Sequence, residues 1–112
     1  MIRFARWSAL VTIVLLSACA SWEEWPHENF KHYYAGQVGK RVDDPSTSIA
    51  RYPEDIVARR VLPNGNTEFE LLKAVSQIDD AKCLVFYEVD SKTNVIVAWR
   101  YEGDDQVCVL GP

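Results

Sequence analysis

The chain of 112 residues is 48% apolar and 12% aromatic, too rich in core formers for a disordered segment and long enough for one small domain. Its 16 acids outweigh 12 lysines and arginines, for a formal charge of −4. That sign argues against nucleic acid as a partner and against a polybasic membrane surface.

Met1 to Arg6 carries two arginines and no acid, and Ala9 to Leu16 is a short apolar run followed by small residues. This is the order of a secretory signal, and the run is far short of the roughly 20 apolar residues of a permanent bilayer span. Leu16-Ser17-Ala18-Cys19 resembles the lipobox read by lipoprotein signal peptidase. The competing reading is an ordinary signal cleaved nearby, with an incidental cysteine. A lipobox implies removal of residues 1–18, lipidation of Cys19 (palmitate among the acyl chains), and anchoring by more than one chain, where a single chain binds marginally. It leaves 94 residues of formal charge −6, since Arg3 and Arg6 go with the signal. Ala20 rather than Asp follows the cysteine, which by resemblance to Gram-negative sorting rules implies the outer membrane, with the domain facing the periplasm. Three cysteines are an odd count for an exported chain. Assigning Cys19 to lipid leaves Cys83 and Cys108, expected to form a disulfide in an oxidising periplasm rather than to stay as two free thiols.

Residues 19–28 read as a lipidated tether, and 29–112 as the domain. Trp22 and Trp25 are suited to the headgroup level, or one of them to packing on the domain. Asn29 to Val38 has a helical stripe of Phe30, Tyr33, Tyr34, Gln37 and Val38, ended by Gly39. The stripe is what a core-facing helix needs. A second short helix is expected with Asp44 as N-cap and Pro45 first, Ile49 and Tyr52 facing inward, and Pro53 stopping it.

Ile56 to Leu62 and Thr67 to Val75 read as strands around Pro63-Asn64-Gly65-Asn66. Asn-Gly suggests a type I′ turn, which sets Leu62 opposite Thr67, Arg60 opposite Phe69 and Arg59 opposite Glu70. Arg59, Glu68 and Glu70 would then share a solvated, salt-bridged face with Val57 and Val61. Cys83 to Val89 and Val95 to Tyr101 form a second hairpin, with Asn94 left-handed in its loop. Pairing Val89 with Val95 puts Cys83, Val85, Tyr87, Val89, Val95, Val97, Trp99 and Tyr101 on one core face. The fold class is α+β: one or two helices on an antiparallel meander of three to four strands, with one disulfide.

The joint Gly39-Lys40-Arg41-Val42-Asp43-Asp44 and the segment Cys83…Glu88-Val89-Asp90…Val95-Ile96…Trp99…Gly103…Cys108, behind a lipidated cysteine, resemble the small outer-membrane lipoproteins of the BamE (SmpA/OmlA) type and related uncharacterised proteobacterial lipoproteins. Tyr52-Pro53 stands where that group often has Gly-x-Pro, and Glu68-Phe69-Glu70 where it has Trp-x-Tyr. The resemblance implies the fold more directly than the group's role in outer-membrane protein assembly.

No catalytic, cofactor or metal residue emerges. His27 and His32 are five apart, off a common helical face, and no nucleophile, base and orienting group assemble. Asp90-Ser91-Lys92-Thr93-Asn94 starts like a calcium loop, but Lys92 occupies a ligand position and Tyr101 replaces the closing Glu. The acid pairs Asp43-Asp44, Asp79-Asp80 and Asp104-Asp105 fall in loops. The expectation is a non-catalytic structural or assembly accessory, held to the membrane by lipid and docking on another envelope protein. The alternative is a binding module such as an inhibitor of an envelope hydrolase.

Overall fold

Proline lacks an N–H and is fixed near helical φ, so it fits a helix's first turn, and Trp25-Pro26 begins helix α1 (Trp25–Ala35). The computed structural model describes residues 25–110; the lipobox residues Leu16, Ser17, Ala18 and Cys19, and Trp22, lie outside them. The expected start at Asn29 is four residues late, so the end of the supposed tether is helix. The expected end at Val38 is also late, because Gln37 and Val38 donate to Tyr34 and Ala35 in tight turns. Gly39, at φ +95°, then turns the chain so that its N–H reaches Ile96 O at 2.8 Å. Phe30 and Tyr34, one turn apart, are buried, whereas Val38 is exposed.

Helix α2 is one turn, Ser48–Arg51, followed by a 3₁₀ turn at Pro53–Asp55. Thr47 caps α2, its side chain accepting from Ala50 N–H, in place of the expected Asp44. The Asp44 carboxylate is already engaged by Ser46 N–H at 2.8 Å and Ser46 Oγ at 2.7 Å, a local turn that competes with helix capping. Ile49 is buried as expected, but Tyr52 is 41% exposed rather than inward.

The sheet is a meander in the order β1 (Ile56–Val61), β2 (Thr67–Val75), β3 (Lys82–Val89), β4 (Ile96–Glu102), all neighbours antiparallel. The first hairpin pairs Val61 with Thr67, Arg60 with Glu68 and Arg59 with Phe69, one residue from the expected register. Leu62 O accepts from Gly65 N–H, and Leu62 N–H donates to Asn66 O. The loop is thus three residues, Pro63-Asn64-Gly65, with only Gly65 at positive φ (+87°). Pro63 presets the first position of an ordinary turn, and Gly65 takes the bulge position that a type I′ turn lacks. This one-residue difference moves Arg59 off the charged face and puts Arg60 there.

In the second hairpin Asn94 is left-handed (φ +58°) as expected. Val89 pairs with Ile96 and Tyr87 with Trp99, with a register shift between Glu88 and Val89. The extra residue turns Val97 to solvent (43% exposed) and puts Ile96 in the core (0%), reversing the expected places of Val97 and its neighbour. The strand β4 starts against the Gly39–Val42 segment, whose Lys40 O and Val42 N–H bond to Ile96 N–H and Asn94 O.

The core lies between α1, α2 and one sheet face: Phe30, Tyr34 and Ile49 against Leu71, Cys83, Val85, Tyr87, Val89 and Ile96. Phe30 meets Tyr34 at 4.7 Å and Tyr101 at 5.5 Å between ring centroids, and Tyr34 meets Trp99 at 6.1 Å. Such ring pairs each contribute about 0.5–1.5 kcal/mol beyond area burial. Among the described residues no helix covers the opposite face. There Phe86 is buried beneath the Arg100 guanidinium, 3.8 Å from its ring centroid.

Candidate interaction surfaces

Cys83 and Cys108 form the expected disulfide, with Cα atoms 5.2 Å apart and both residues buried. The chain reaches it through Gly103, at φ +142°. A Cβ there would stand 2.5 Å from Lys82 O and 3.0 Å from Cys108 Sγ, so only glycine lets the tail pass this close. A second clamp comes from His27. Its Nδ1 lies 2.8 Å from Cys108 O, and a carbonyl only accepts, so Nδ1 carries the proton. Its Nε2 lies 3.2 Å from Tyr101 Oη and 3.5 Å from Asp105 Oδ1. Leu110 N–H also donates to Pro26 O at 3.0 Å. His27 therefore fastens the start of α1 to the C-terminal tail, while His32 stays exposed and the two are not brought together.

Several loop acids serve the backbone beside them. Asp79 accepts from Ala81 N–H, Asp104 from Gln106 N–H, and Asp90 from Lys92 and Thr93 N–H. The Ser76 hydroxyl and then the Ala81 N–H hold the Asp79 carboxyl below the usual carboxylate range, the Thr93 and Lys92 N–H groups do so for Asp90, and Ser46 does the same to Asp44. Burial pushes the phenols of Tyr34 and Tyr87 up, so neither gives up a proton near neutrality. Among the described residues no three of His, Cys, Asp and Glu are grouped to hold a metal ion. Nor, among them, is any helix long and apolar enough to cross a membrane.

Two of the concave surfaces formed by the described residues flank the helices. One, of about 380 Å³, is lined by Phe30, Tyr33, Tyr34, Tyr52, Val109 and Leu110 among others. In its wall Lys73 Nζ donates to Asp55 Oδ2 at 2.6 Å and Ser48 Oγ at 3.1 Å, and lies 4.9 Å from the Tyr52 ring centroid. Its charge is matched within the fold, which makes it a brace between β2, α2 and the 3₁₀ turn. Sequence reasoning missed this pair, since its members are 18 residues apart with no motif between them.

The other surface, of about 330 Å³, is a shallow groove between α2 and the β1 edge. Val42, Ile49, Pro53, Ile56 and Phe69 line it, with Asp43 and Arg59 also on it. Asp43 is paired with Arg41, and the Arg59 guanidinium lies 5.0 Å from the Phe69 ring centroid. Val57 and Val61, on the same strand, are 53% and 79% exposed. Across the sheet's other face Arg60 pairs with Glu68 and Glu70, and Arg100 with Glu68 and Glu102. The salt-bridged face is thus present, with Arg60 in the place expected for Arg59 and without Val61, which pairs with Thr67 on the opposite face. No protein-family model, no curated protein and no solved structure matches this chain.

Proposed function

We propose that this chain is a lipid-anchored envelope protein, fixed to the outer membrane through Cys19, whose small domain docks on another envelope protein as a structural or assembly accessory. The observation that carries the reading is Leu16-Ser17-Ala18-Cys19 at the end of an apolar run behind two arginines. The sheet face and β1 edge, which no described element covers, support a docking role, since among the described residues they leave apolar residues and backbone groups available to a partner. The fate of the polar groups supports a role without catalysis. Asp44, Asp79, Asp90 and Asp104 cap turns, Lys73 braces the fold and His27 holds the tail. The order of helices followed by a meander accords with the BamE-type resemblance of the sequence.

Mild crosslinking of native envelopes, followed by purification of the lipoprotein, tests the reading. A reproducible adduct with a membrane or membrane-attached protein is the expected result. Tight binding to a soluble envelope hydrolase, with loss of that enzyme's activity, would overturn it in favour of an inhibitor.

A further inference from the structure

We infer that the β1 edge receives an extended acidic-apolar segment of a partner protein, which adds a fifth strand to the sheet. This rests on the docking role proposed above and names its surface.

The backbone makes the edge available. Leu62 N–H bonds to Asn66 O, so alternation along an antiparallel ladder directs Arg60 and Ala58 towards β2. It directs the N–H and C=O groups of Arg59 and Val61 away from it. Among the described residues nothing pairs with those outward groups, whereas the start of β4 is met by Gly39–Val42.

Side chains specify what fits. An added strand places residues opposite Arg59 and Val61 on their own face, two positions apart. Arg59 is in no ion pair among the described residues, on a domain with an excess of acid, and it borders the apolar groove at Ile56, Pro53 and Phe69. The complementary segment carries an acid opposite Arg59, with an apolar residue two positions to each side. One apolar residue lies against Val61 and the other over the groove. A second copy of this chain fits poorly. A two-fold register centred on Arg59 sets Arg59 against Arg59, where like charges directly opposite repel, and one centred on Ala58 sets Arg59 against Val57, with no acid to meet it.

The probe is a fluorescent peptide with the core Val-Thr-Glu-Thr-Val, titrated into the full-length lipoprotein in detergent micelles and read by polarisation and amide exchange. Saturable binding with new protection at Arg59 and Val61 is expected. Arg59→Glu should weaken it about tenfold and favour a Lys-centred peptide. Val61→Pro should weaken it about tenfold or more by removing an outward N–H, while the fold survives because that N–H serves no internal ladder. Unchanged circular dichroism and thermal midpoint verify that survival, and Val61→Thr, which keeps the N–H, should retain binding. No saturation at millimolar peptide, or binding indifferent to Arg59→Glu and Val61→Pro, overturns the inference.

Photo-crosslinkers at positions 61, 97 and 52 in native envelopes separate the two proposals. Partner adducts at 61 support both. Partner adducts only at 97 or 52 overturn the edge and keep the docking role, and no partner adduct at any position overturns both. Self-adducts at 61, or an intramolecular adduct to residues 20–24, overturn the inference by assigning the edge to a second copy or to the chain's own tether.

Discussion

Breaking the disulfide tests how much of this small domain's stability resides in one covalent link. The bond closes a loop of 25 residues, which restricts the unfolded chain by about 3.5 kcal/mol in the chain-entropy model. Cys108→Ala also removes a fully buried sulfur, worth about 1 kcal/mol more in lost contact. Domains of this size hold about 5–15 kcal/mol in total, so the loss is a large fraction. With a urea slope near 1–1.5 kcal/mol/M, the midpoint should fall by roughly 3 M. Cys83→Ala, Cys108→Ala and the double variant should fall by similar amounts, because each single change already destroys the bond. The assay is urea unfolding of the Cys19→Ser protein, followed by circular dichroism, with and without reductant. Both sulfurs lie in the core, so thiol reductants should act on the native protein only through opening. The reduction rate should then become independent of reductant at high concentration. A midpoint shift below about 0.5 M, or two reactive thiols in denatured, unreduced protein, would refute the reasoning.

Cys19→Ser should abolish incorporation of an alkyne fatty acid and leave uncleaved precursor; label retained in the variant would sink the lipobox. Ala20→Asp should shift the mature protein from outer to inner membrane on a sucrose gradient, and a wild type already banding with inner membrane would contradict the sorting argument. Gly103→Ala should cost about 2–4 kcal/mol in urea unfolding, from positive φ together with the clash at Lys82 O, and a loss under about 1 kcal/mol would show that the turn relaxes. Glu88 accepts from the Asn66 and Asn64 amides, which hold its carboxyl below the usual range. A depressed folded-state pKa contributes stability that is present above the unfolded value, about 4.3, and is lost as pH falls through the folded one. Glu88→Gln should therefore unfold more easily than wild type at neutral pH, with the gap closing as the pH drops below about 4; an equal gap at low pH would contradict the assignment.

What the sequence made legible follows from local chemistry. Alternation in Cys83 to Val89 marks β3, and Asn94 in a loop of polar residues takes the left-handed position. The odd cysteine count led to Cys83 and Cys108. The rest depended on choices that neighbouring residues leave balanced. Asn64-Gly65 suits two hairpin turns, and Pro63 tips the balance by fixing its own φ, which decides whether Arg59 or Arg60 joins Glu68 and Glu70. Both Ile96 and Val97 are β-branched and apolar, so only contact with Val89 and the Gly39–Val42 segment selects Ile96 for the core. Trp25-Pro26 did carry a helix-start signal, within a segment that reads as a tether behind the lipobox. The surfaces are built from partners far apart: Asp55 with Lys73, and His27 with the Cys108 carbonyl, 81 residues away.

The Leu110 N–H bond to Pro26 O means that the described chain starts and finishes at one corner of the domain. The ends could be joined by a short linker and the chain reopened at Asn64-Gly65, the exposed tip of the first hairpin. Such a circular permutant would keep its strand neighbours while β1 and β2 exchanged a local turn for a distant closure. It should fold more slowly, with the sheet intact. A reporter fused after Leu110 would also ride beside the start of α1.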